Sequence, residues 1–172
     1  MRSDFAERYG IEPDGNEQRL VAVLEGQIPD RVPYLEYWVT SQTVAQAVIG
    51  RPIETAQDRH DFALCTGQDC FSVSTGWRPG CVYDYAADGS VHYVDGSIAS
   101  AEDIQQLRPP DLGRFAQEIE AALQIASSSP LGVYAMISSI FDSCYLALGL
   151  ERFAVWLYER RELVEQLMDK LA

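Results

Sequence analysis

The sequence predicts an α/β fold, a partial (β/α)8 TIM barrel with about three parallel strands, their helices and a β-hairpin excursion. Residues 16–39 begin as a helix-like segment that ends at Gly26, and a turn over 28–31 leads into an apolar, aromatic run. Strand-like and helical segments then alternate, which is typical of parallel βαβ units. The segment 131–137 is nearly all apolar, as expected for a buried parallel strand.

The first helix and strand follow from capping and periodicity. Asn16 is placed to cap a helix that carries Leu20, Val23 and Leu24 on one face. Alternation over 32–39 predicts the first strand. One face of that strand carries Tyr34, Glu36 and Trp38, and the other carries Leu35, Tyr37 and Val39.

The remaining elements are bounded by turn and cap residues. They are helices over 41–49 and 55–66, a strand over 69–75, hairpin strands over 81–85 and 91–94, helices over 101–107 and 112–126, the strand over 131–137 and a helical tail. Asp88 and Gly89 are typical of a hairpin turn. Ser100 and Asp103 have the spacing of a capping box at the start of a helix.

The chain is acidic, with 13 Lys and Arg against 26 Asp and Glu and a formal net charge of −13. A surface with this much negative charge repels phosphate backbones and anionic lipid heads. Neither nucleic acid nor a membrane is therefore expected as a partner. No apolar run approaches the roughly 18 residues of a membrane-spanning helix. The polar start lacks the apolar core of a secretory signal, and four irregularly spaced cysteines favour reduced thiols. These observations favour a cytoplasmic protein.

Several short motifs occur in the order found in one known family. They are Arg19 with Leu20, Gly26, and the runs 29–33, 67–69, 84–91, 100–111 and 140–153. Along nearly its whole length the chain resembles the uroporphyrinogen decarboxylase superfamily. The resemblance implies a (β/α)8 barrel, shared by porphyrinogen decarboxylases and by zinc-dependent methyltransferases that use methyl-corrinoids. Since a complete barrel typically takes about 250 residues, residues 1–172 are expected to form the amino-terminal part of one barrel domain without an internal boundary.

Three departures separate the chain from the decarboxylases of that superfamily. Those enzymes carry an arginine-rich stretch after the first strand, where residues 35–42 hold no arginine. They carry an aspartate at the position where this chain has Gly76. They also carry a catalytic tyrosine after the third strand, and Tyr145 lies one residue away from the matching position. We therefore expect corrinoid-linked methyl transfer by the complete protein. Porphyrinogen decarboxylation is the alternative, and a catalytically silent fragment that needs a partner half is a further one.

In a barrel, chemistry collects at the carboxyl ends of the strands. Glu36 is the sharpest candidate there, because a carboxylate that points into the barrel is desolvated and either paired or proton-active. Asp142 and Tyr145 follow the third strand and complete the predicted catalytic set, although an aspartate at such a place also commonly caps a helix. The predicted substrate-binding residues are Trp38, Gln42, Trp77 and Arg78.

No metal ligands are expected within residues 1–172. The spacing of His60, Cys65 and Cys70 does not match the usual pairs of zinc ligands, and buried cysteines commonly act as small hydrophobes. The resemblance implies zinc and a methyl-corrinoid partner only for the complete protein. The expected substrate is a small molecule or a corrinoid protein, and open barrel edges favour self-association.

Overall fold

The computed structural model describes residues 7–8, 10, 13–36, 41–74, 77–87 and 90–172. Within these ranges eight helices and four strands form a mixed α/β fold, which confirms the predicted class. In chain order the elements are α1 (Gln18–Leu24), α2 (Gln42–Ile49), α3 (Ala56–Thr66), β1 (Cys70–Ser74), β2 (Cys81–Tyr85), β3 (Val91–Gly96), α4 (Ala101–Gln106), α5 (Leu112–Ala126), β4 (Gly132–Met136), α6 (Ile140–Leu148), α7 (Leu150–Glu159) and α8 (Arg161–Leu171). The helices of the described ranges include none that is long and apolar enough to cross a membrane.

The chain divides into two compact units. The first unit comprises Met1–Ser74 and Gly113–Met136, and the second unit comprises Thr75–Leu112 and Ile137–Ala172. That residues 1–172 belong to a single barrel domain stays a prediction.

The first unit is built on a parallel pair of strands. β1 and β4 pair from Cys70 opposite Gly132 to Ser74 opposite Met136. Because the chain returns from β1 to β4 after the helix α5, this pairing confirms a parallel βαβ arrangement. The apolar core of the unit comprises Ala56, Ala63, Phe71, Val73, Ala122 and Leu131.

The helices α2 and α3 begin and end close to the predicted limits. Ser41 Oγ caps α2, and Thr55 with Asp58 forms a complete capping box at the start of α3. Gly50 and Gly67 end the two helices at φ of 74° and 72°, a conformation that glycine adopts without steric strain.

The predicted first strand is wrong over its described part, 32–36, which belongs to neither of the described sheets. Asp69 N donates to Tyr34 O at 2.8 Å, which is a backbone hydrogen bond. The N–H of Tyr34, however, donates to the side-chain oxygen Asp69 Oδ2 at 2.7 Å and not to a backbone carbonyl. Gln68 Oε1 likewise accepts from Glu36 N at 3.2 Å. Side chains therefore replace the backbone ladder, and the described parallel sheet has two strands, not three.

The predicted apolar face of α1 is also wrong. Val23 and Leu24 are 46% and 77% exposed, whereas the buried residue of this helix is Arg19. Arg19 is buried because three carboxylates surround its guanidinium. The predicted cap is present, since Asn16 Oδ1 accepts from Gln18 N at 3.0 Å.

The second unit combines the predicted hairpin with four helices. β2 and β3 pair antiparallel, from Cys81 opposite Gly96 to Tyr85 opposite Val91. The predicted turn at 88–89 lies outside the described residues. The apolar core of the unit comprises Ile98, Ile104, Cys144, Ala147, Leu148, Phe153, Trp156, Val164 and Leu167.

The first helix of the second unit begins at the predicted cap. Ser100 Oγ accepts from Asp103 N at 3.2 Å, and Asp103 Oδ2 accepts in turn from Ser100 Oγ at 2.9 Å. The helical tail consists of three helices, which are divided at Gly149 and Arg160.

Candidate functional site

Five charged side chains, called here the Asp69 network, close the amino end of β1 in the first unit. They are Asp14, Arg19, Asp30, Arg31 and Asp69. Asp69 is 0% exposed, and Arg19 Nη1 donates to its Oδ1 at 2.9 Å. Arg31 donates to both oxygens of the same carboxylate at 3.1 Å. Each charge thus has a partner of opposite sign, where an unpaired buried charge would be strongly destabilising.

Backbone groups complete the environment of Asp69. Its carboxylate accepts from the N–H groups of Asn16 and Tyr34, at 2.8 and 2.7 Å. Burial by itself raises the pKa of Asp69, but the two backbone hydrogen bonds and the arginines outweigh it and hold the pKa below its usual range. For Asp30, the hydrogen bond from Arg19 lowers the pKa to about 2. Both carboxylates are therefore ionised at neutral pH, and charge-assisted hydrogen bonds hold the network.

Four of the five residues of the Asp69 network, all except Asp14, lie in the motifs at 19–33 and 67–69, which carry part of the family resemblance. The network lies at the amino end of β1, and its two arginines are engaged with carboxylates. Its hydrogen bonds tie the segment that contains Tyr34 and helix α1 to the start of β1.

Arg78 and Ser138 bring together, within the second unit, the segments that follow two different strands. Arg78 comes shortly after the end of β1, and Ser138 comes shortly after the end of β4. A guanidinium N–H of Arg78 donates to Ser138 Oγ, while the Arg78 residue as a whole is exposed. A cation is therefore held at a position where the sequence predicts substrate binding.

Tyr145 and Asp142 both lie on α6 in the second unit. The ring of Tyr145 packs against those of Phe141 and Phe153, with centroid distances of 5.7 and 6.3 Å. Asp142 is exposed in the first turn, and the helix cap is Ser139, whose Oγ accepts from Asp142 N at 3.3 Å. Ser139 therefore does the capping, and Asp142 lies at the positive end of the helix dipole.

Glu36 is exposed, which corrects the expectation of a desolvated carboxylate. It shares the exposed face of its segment with Tyr34, as the alternation predicts, and its Oε2 accepts from Tyr34 Oη at 3.2 Å. Partial burial and this hydrogen bond raise the pKa of Tyr34, so the phenol keeps its proton at neutral pH. The catalytic use of Glu36 stays a prediction.

Two of the other predicted binding residues, Gln42 and Trp77, belong to different units. Gln42 belongs to the first unit, where its Oε1 accepts from Ile53 N at 3.1 Å and joins α2 to the segment before α3. Trp77 is half-buried in the second unit beside Arg78 in sequence. Trp38 lies outside the described residues.

Sequence reasoning missed a polar and aromatic group on the hairpin of the second unit. The side chains of Cys81 and Tyr83 are hydrogen-bonded, and the Tyr83 ring meets Tyr93 edge-on at 6.3 Å. Tyr93 Oη donates to Leu146 O at 2.9 Å and fixes the hairpin to α6. Burial raises the pKa of Cys81, against the smaller lowering effects of Tyr83 and the nearby Arg78. The period-two spacing of Cys81 and Tyr83 is the signal that could have found this pair.

Within the described ranges, no three His, Cys, Asp or Glu side chains are grouped closely enough to hold a metal ion. Cys65 lies on α3 and Cys70 on β1, so these two thiols belong to different elements, as the sequence predicts. All four cysteines are free. Burial raises the pKa of Cys70 and of Cys144 to about 11, so both are protonated and unreactive at neutral pH.

Comparison with models of known protein families and with curated proteins gave no match. A solved methyltransferase from Methanosarcina mazei is similar in structure, with a TM-score of 0.57 at 16% sequence identity. The chain has a methyltransferase-like fold. The similarity covers 90% of this chain and 51% of the methyltransferase, so the chain spans about half the length of that protein. At so low an identity the similarity establishes the fold alone.

Proposed function

We propose that the chain contributes the amino-terminal part of a (β/α)8 barrel enzyme that transfers a methyl group. The observation that carries this proposal is the fold, which 90% of the chain shares with a methyltransferase. The parallel pair of β1 and β4, with a helix between them in the chain, agrees with the repeating unit of such a barrel. The superfamily that the sequence motifs resemble contains methyltransferases of this architecture.

The proposed acceptor site uses the second-unit residues that follow the strands. Arg78 presents an exposed guanidinium, whose planar fork suits a carboxylate or a sulfonate on the methyl acceptor. Asp142 is proposed to take the proton that the acceptor releases as the methyl group is transferred. Tyr145, flanked by aromatic rings, is proposed to form the wall of the site.

The proposed methyl donor is a corrinoid. When bound, a methyl-corrinoid supplies an electrophilic methyl group, and a zinc ion would lower the pKa of a thiol acceptor. Since the described residues contain no group of three potential metal ligands, zinc would have to be held by residues outside these ranges. The chain's own residues are therefore assigned to binding and orienting the acceptor.

Several arginines of the first unit are paired with aspartates, and this pairing favours methyl transfer over porphyrinogen decarboxylation. A porphyrinogen carries several carboxylates and needs several cations in its site. Arg19 and Arg31 are engaged in the Asp69 network, and Arg51 is paired with two aspartates of α3. Arg78 is a single cation after the end of β1, which suits an acceptor with a single negative charge.

The test uses the full-length protein with methylcobalamin as the methyl donor. Thiols serve as methyl acceptors because their thiolates are good nucleophiles near neutral pH. Two of them are compared: 3-mercaptopropionate carries a carboxylate, and 2-mercaptoethanol has no charged group besides its thiol. Methyl thioether is measured by mass spectrometry and loss of methylcobalamin by its absorbance. The expected result is enzyme-dependent thioether formation, with the lower KM for the carboxylated thiol.

A parallel reaction with uroporphyrinogen separates the two chemistries. Formation of a less carboxylated porphyrinogen, without any methyl thioether in the first assay, would replace methyl transfer by decarboxylation. An equal rate of thioether formation with heat-inactivated protein would also contradict the proposal.

A further inference from the structure

A second candidate site lies in the first unit and uses none of the residues of the proposed methyl-transfer site. An open cavity of about 460 Å³ lies between α3 and α5 and reaches the segment that precedes β4. Its lining residues are Gln57, His60, Leu64, Ala121, Gln124, Ile125, Ser128, Ser129 and Pro130. The cavity thus combines a small apolar wall with hydroxyl, amide and imidazole groups.

His60 is held between a carboxylate and a hydroxyl. Its Nε2 lies 2.9 Å from Ser129 Oγ, and its Nδ1 lies 3.1 Å from Asp61 Oδ1 and 3.3 Å from Gln57 Nε2. The imidazole is buried and packs edge-on against Phe71, with ring centroids 5.4 Å apart. A neutral imidazole that donates from Nδ1 to the carboxylate leaves Nε2 as an acceptor for the hydroxyl proton. This is the order of groups by which a histidine activates a serine.

Asp61 is itself fixed and ionised. Its Oδ2 is paired with Arg51 Nη2, and its Oδ1 accepts from Gln57 Nε2 at 2.7 Å. Burial raises the pKa of Asp61, but hydrogen bonds from His60, Arg51 and Gln57 outweigh it and lower the pKa. An ionised Asp61 beside Nδ1 favours the tautomer of His60 that carries its proton on Nδ1.

Ser129 is positioned by the backbone on both sides. Its N–H donates to Ala126 O at 2.9 Å, just beyond the end of α5. Its Oγ accepts from Leu131 N at 3.1 Å, which leaves the hydroxyl proton for His60 Nε2. The hydroxyl is thereby aimed at the imidazole and lines the cavity.

We propose that Ser129 is an activated nucleophile that takes acyl groups from small, uncharged esters bound in this cavity. His60 is the general base, and Asp61 is a positioning residue that acts through His60. The cavity volume admits a short acyl group, and the side chains of Leu64 and Ile125 provide an apolar wall for it.

The reaction needs no group beyond the ester and water. Ser129 Oγ forms a bond to the carbonyl carbon while its proton passes to His60 Nε2. The bond from that carbon to the leaving oxygen then breaks, and the alcohol takes the proton from His60. Water next attacks the acyl-enzyme, gives one proton to His60 and releases the acid, and Ser129 Oγ recovers the proton. The amide of Gln124 lines the cavity and is the candidate donor to the oxyanion.

The first test is covalent labelling of the full chain with a fluorophosphonate, followed by peptide mass spectrometry. The reagent forms a bond from phosphorus to an activated serine oxygen with loss of fluoride. The expected result is one adduct, on Ser129. Ser128 is the matched control, because it lines the same cavity while its Oγ is bonded to Ile125 O at 3.2 Å.

The second test separates activation from folding. His60→Gln and Ser129→Ala are each expected to lower p-nitrophenyl acetate hydrolysis by about 100-fold or more, whereas Ser127→Ala, at an exposed serine outside the cavity lining, leaves it within about twofold. Far-UV circular dichroism and thermal unfolding report whether each variant is folded. Absence of the Ser129 adduct from the wild-type protein overturns the proposal, and this outcome needs no variant. An adduct that persists unchanged in a folded His60→Gln protein overturns it as well.

Because methyl transfer by the second-unit residues is assayed with different reagents, the two proposals fail independently. Ser129→Ala is expected to leave the methylcobalamin assay unchanged. Loss of thioether formation in a folded Ser129→Ala protein would contradict the assignment of two separate sites.

Discussion

In the first unit, five charged side chains close the amino end of β1 around the fully buried Asp69, whereas the second unit encloses a core of apolar side chains. The first unit also has an apolar core, but it is smaller and contains the β1 residues Phe71 and Val73. Charge-assisted hydrogen bonds therefore position the segment before β1, and packing positions the hairpin and the last three helices.

This contrast between a charged network and an apolar core indicates the structural role of the motifs that carry the family resemblance. The motifs at 19–33 and 67–69 supply every residue of the Asp69 network except Asp14, and the network has the features of a scaffold. The residues proposed to meet the methyl acceptor, such as Arg78 and Asp142, are exposed. Resemblance through these motifs thus carries information about how the fold is held, and less about which reaction it supports.

The largest expected effect is the response of the first unit to acid. The described carboxyl groups with a lowered pKa are Asp30, Asp58, Asp61 and Asp69 in the first unit and Asp103 in the second. A group with a lowered folded pKa stabilises the fold above its unfolded pKa and loses this effect as the pH falls through the folded value. For Asp30 this window extends from 3.8 down to about 2.

We therefore expect the first unit to lose structure before the second as the pH falls below about 4. Amide NMR signals of Cys70–Ser74 are expected to collapse at a higher pH than those of Arg161–Leu171. Simultaneous loss of both sets, or earlier loss of the second, would contradict the contrast between the two units.

Asp69→Asn tests the same network at neutral pH. The change leaves Arg19 and Arg31 without the charge between them, and breaking such a buried arrangement typically costs about 3–5 kcal/mol. The free energy of unfolding is measured by urea titration. Asp169→Asn, at an exposed position of α8, is the control and is expected to stay within about 0.5 kcal/mol. A loss below about 1 kcal/mol for Asp69→Asn would show that the network is not a main support.

Leu167→Ala probes the second unit. Leu167 is fully buried in the core, so its truncation is expected to cost about 3 kcal/mol through lost burial and an unfilled cavity. Unlike the effect of Asp69→Asn, this loss is expected to be the same at pH 4 and pH 7. Leu157→Ala, at a position that is 41% exposed, serves as the control and is expected to cost much less. A pH-dependent Leu167→Ala effect would contradict an apolar support for this unit.

The smallest expected effect is the loss of one helix cap in each unit. Thr55→Ala and Ser100→Ala remove the caps of α3 and α4, at about 1 kcal/mol each. Thr43→Ala, exposed within α2, is the control, and thermal unfolding is the measurement. Similar losses at both caps would indicate that helix capping contributes equally to the stability of the two units, which then differ in their interior interactions. No loss at either cap would contradict this interpretation.

Local signals in the sequence predict most elements of this fold. Caps such as Thr55 and Ser100, the glycine stops at Gly50 and Gly67, and the alternation on the hairpin involve residues close in the chain. They predict all four strands of the described residues and the helices α2 to α5 closely, and they predict the parallel return of the chain to β4. They do not predict the division of the helical tail at Gly149 and Arg160.

Contacts between distant residues account for what the sequence does not predict. Asp69 accepts from Tyr34 N, so a side chain takes the place of a strand ladder that the alternation over 32–39 predicts. Arg19 is buried because Asp69 lies beside it. His60 meets Ser129 across 69 positions of the chain, and periodicity carries no signal of such a pair.

The most direct test of the account is the effect of Arg78→Gln on thioether formation from methylcobalamin in the full-length protein. If Arg78 binds the charged end of the acceptor, KM for 3-mercaptopropionate should rise by about 10- to 100-fold, as expected for a lost charged hydrogen bond. KM for 2-mercaptoethanol and the unfolding free energy should stay unchanged, and Arg108→Gln, at an exposed arginine after α4, should alter neither KM. An unchanged KM for the carboxylated thiol in Arg78→Gln would contradict the proposed site.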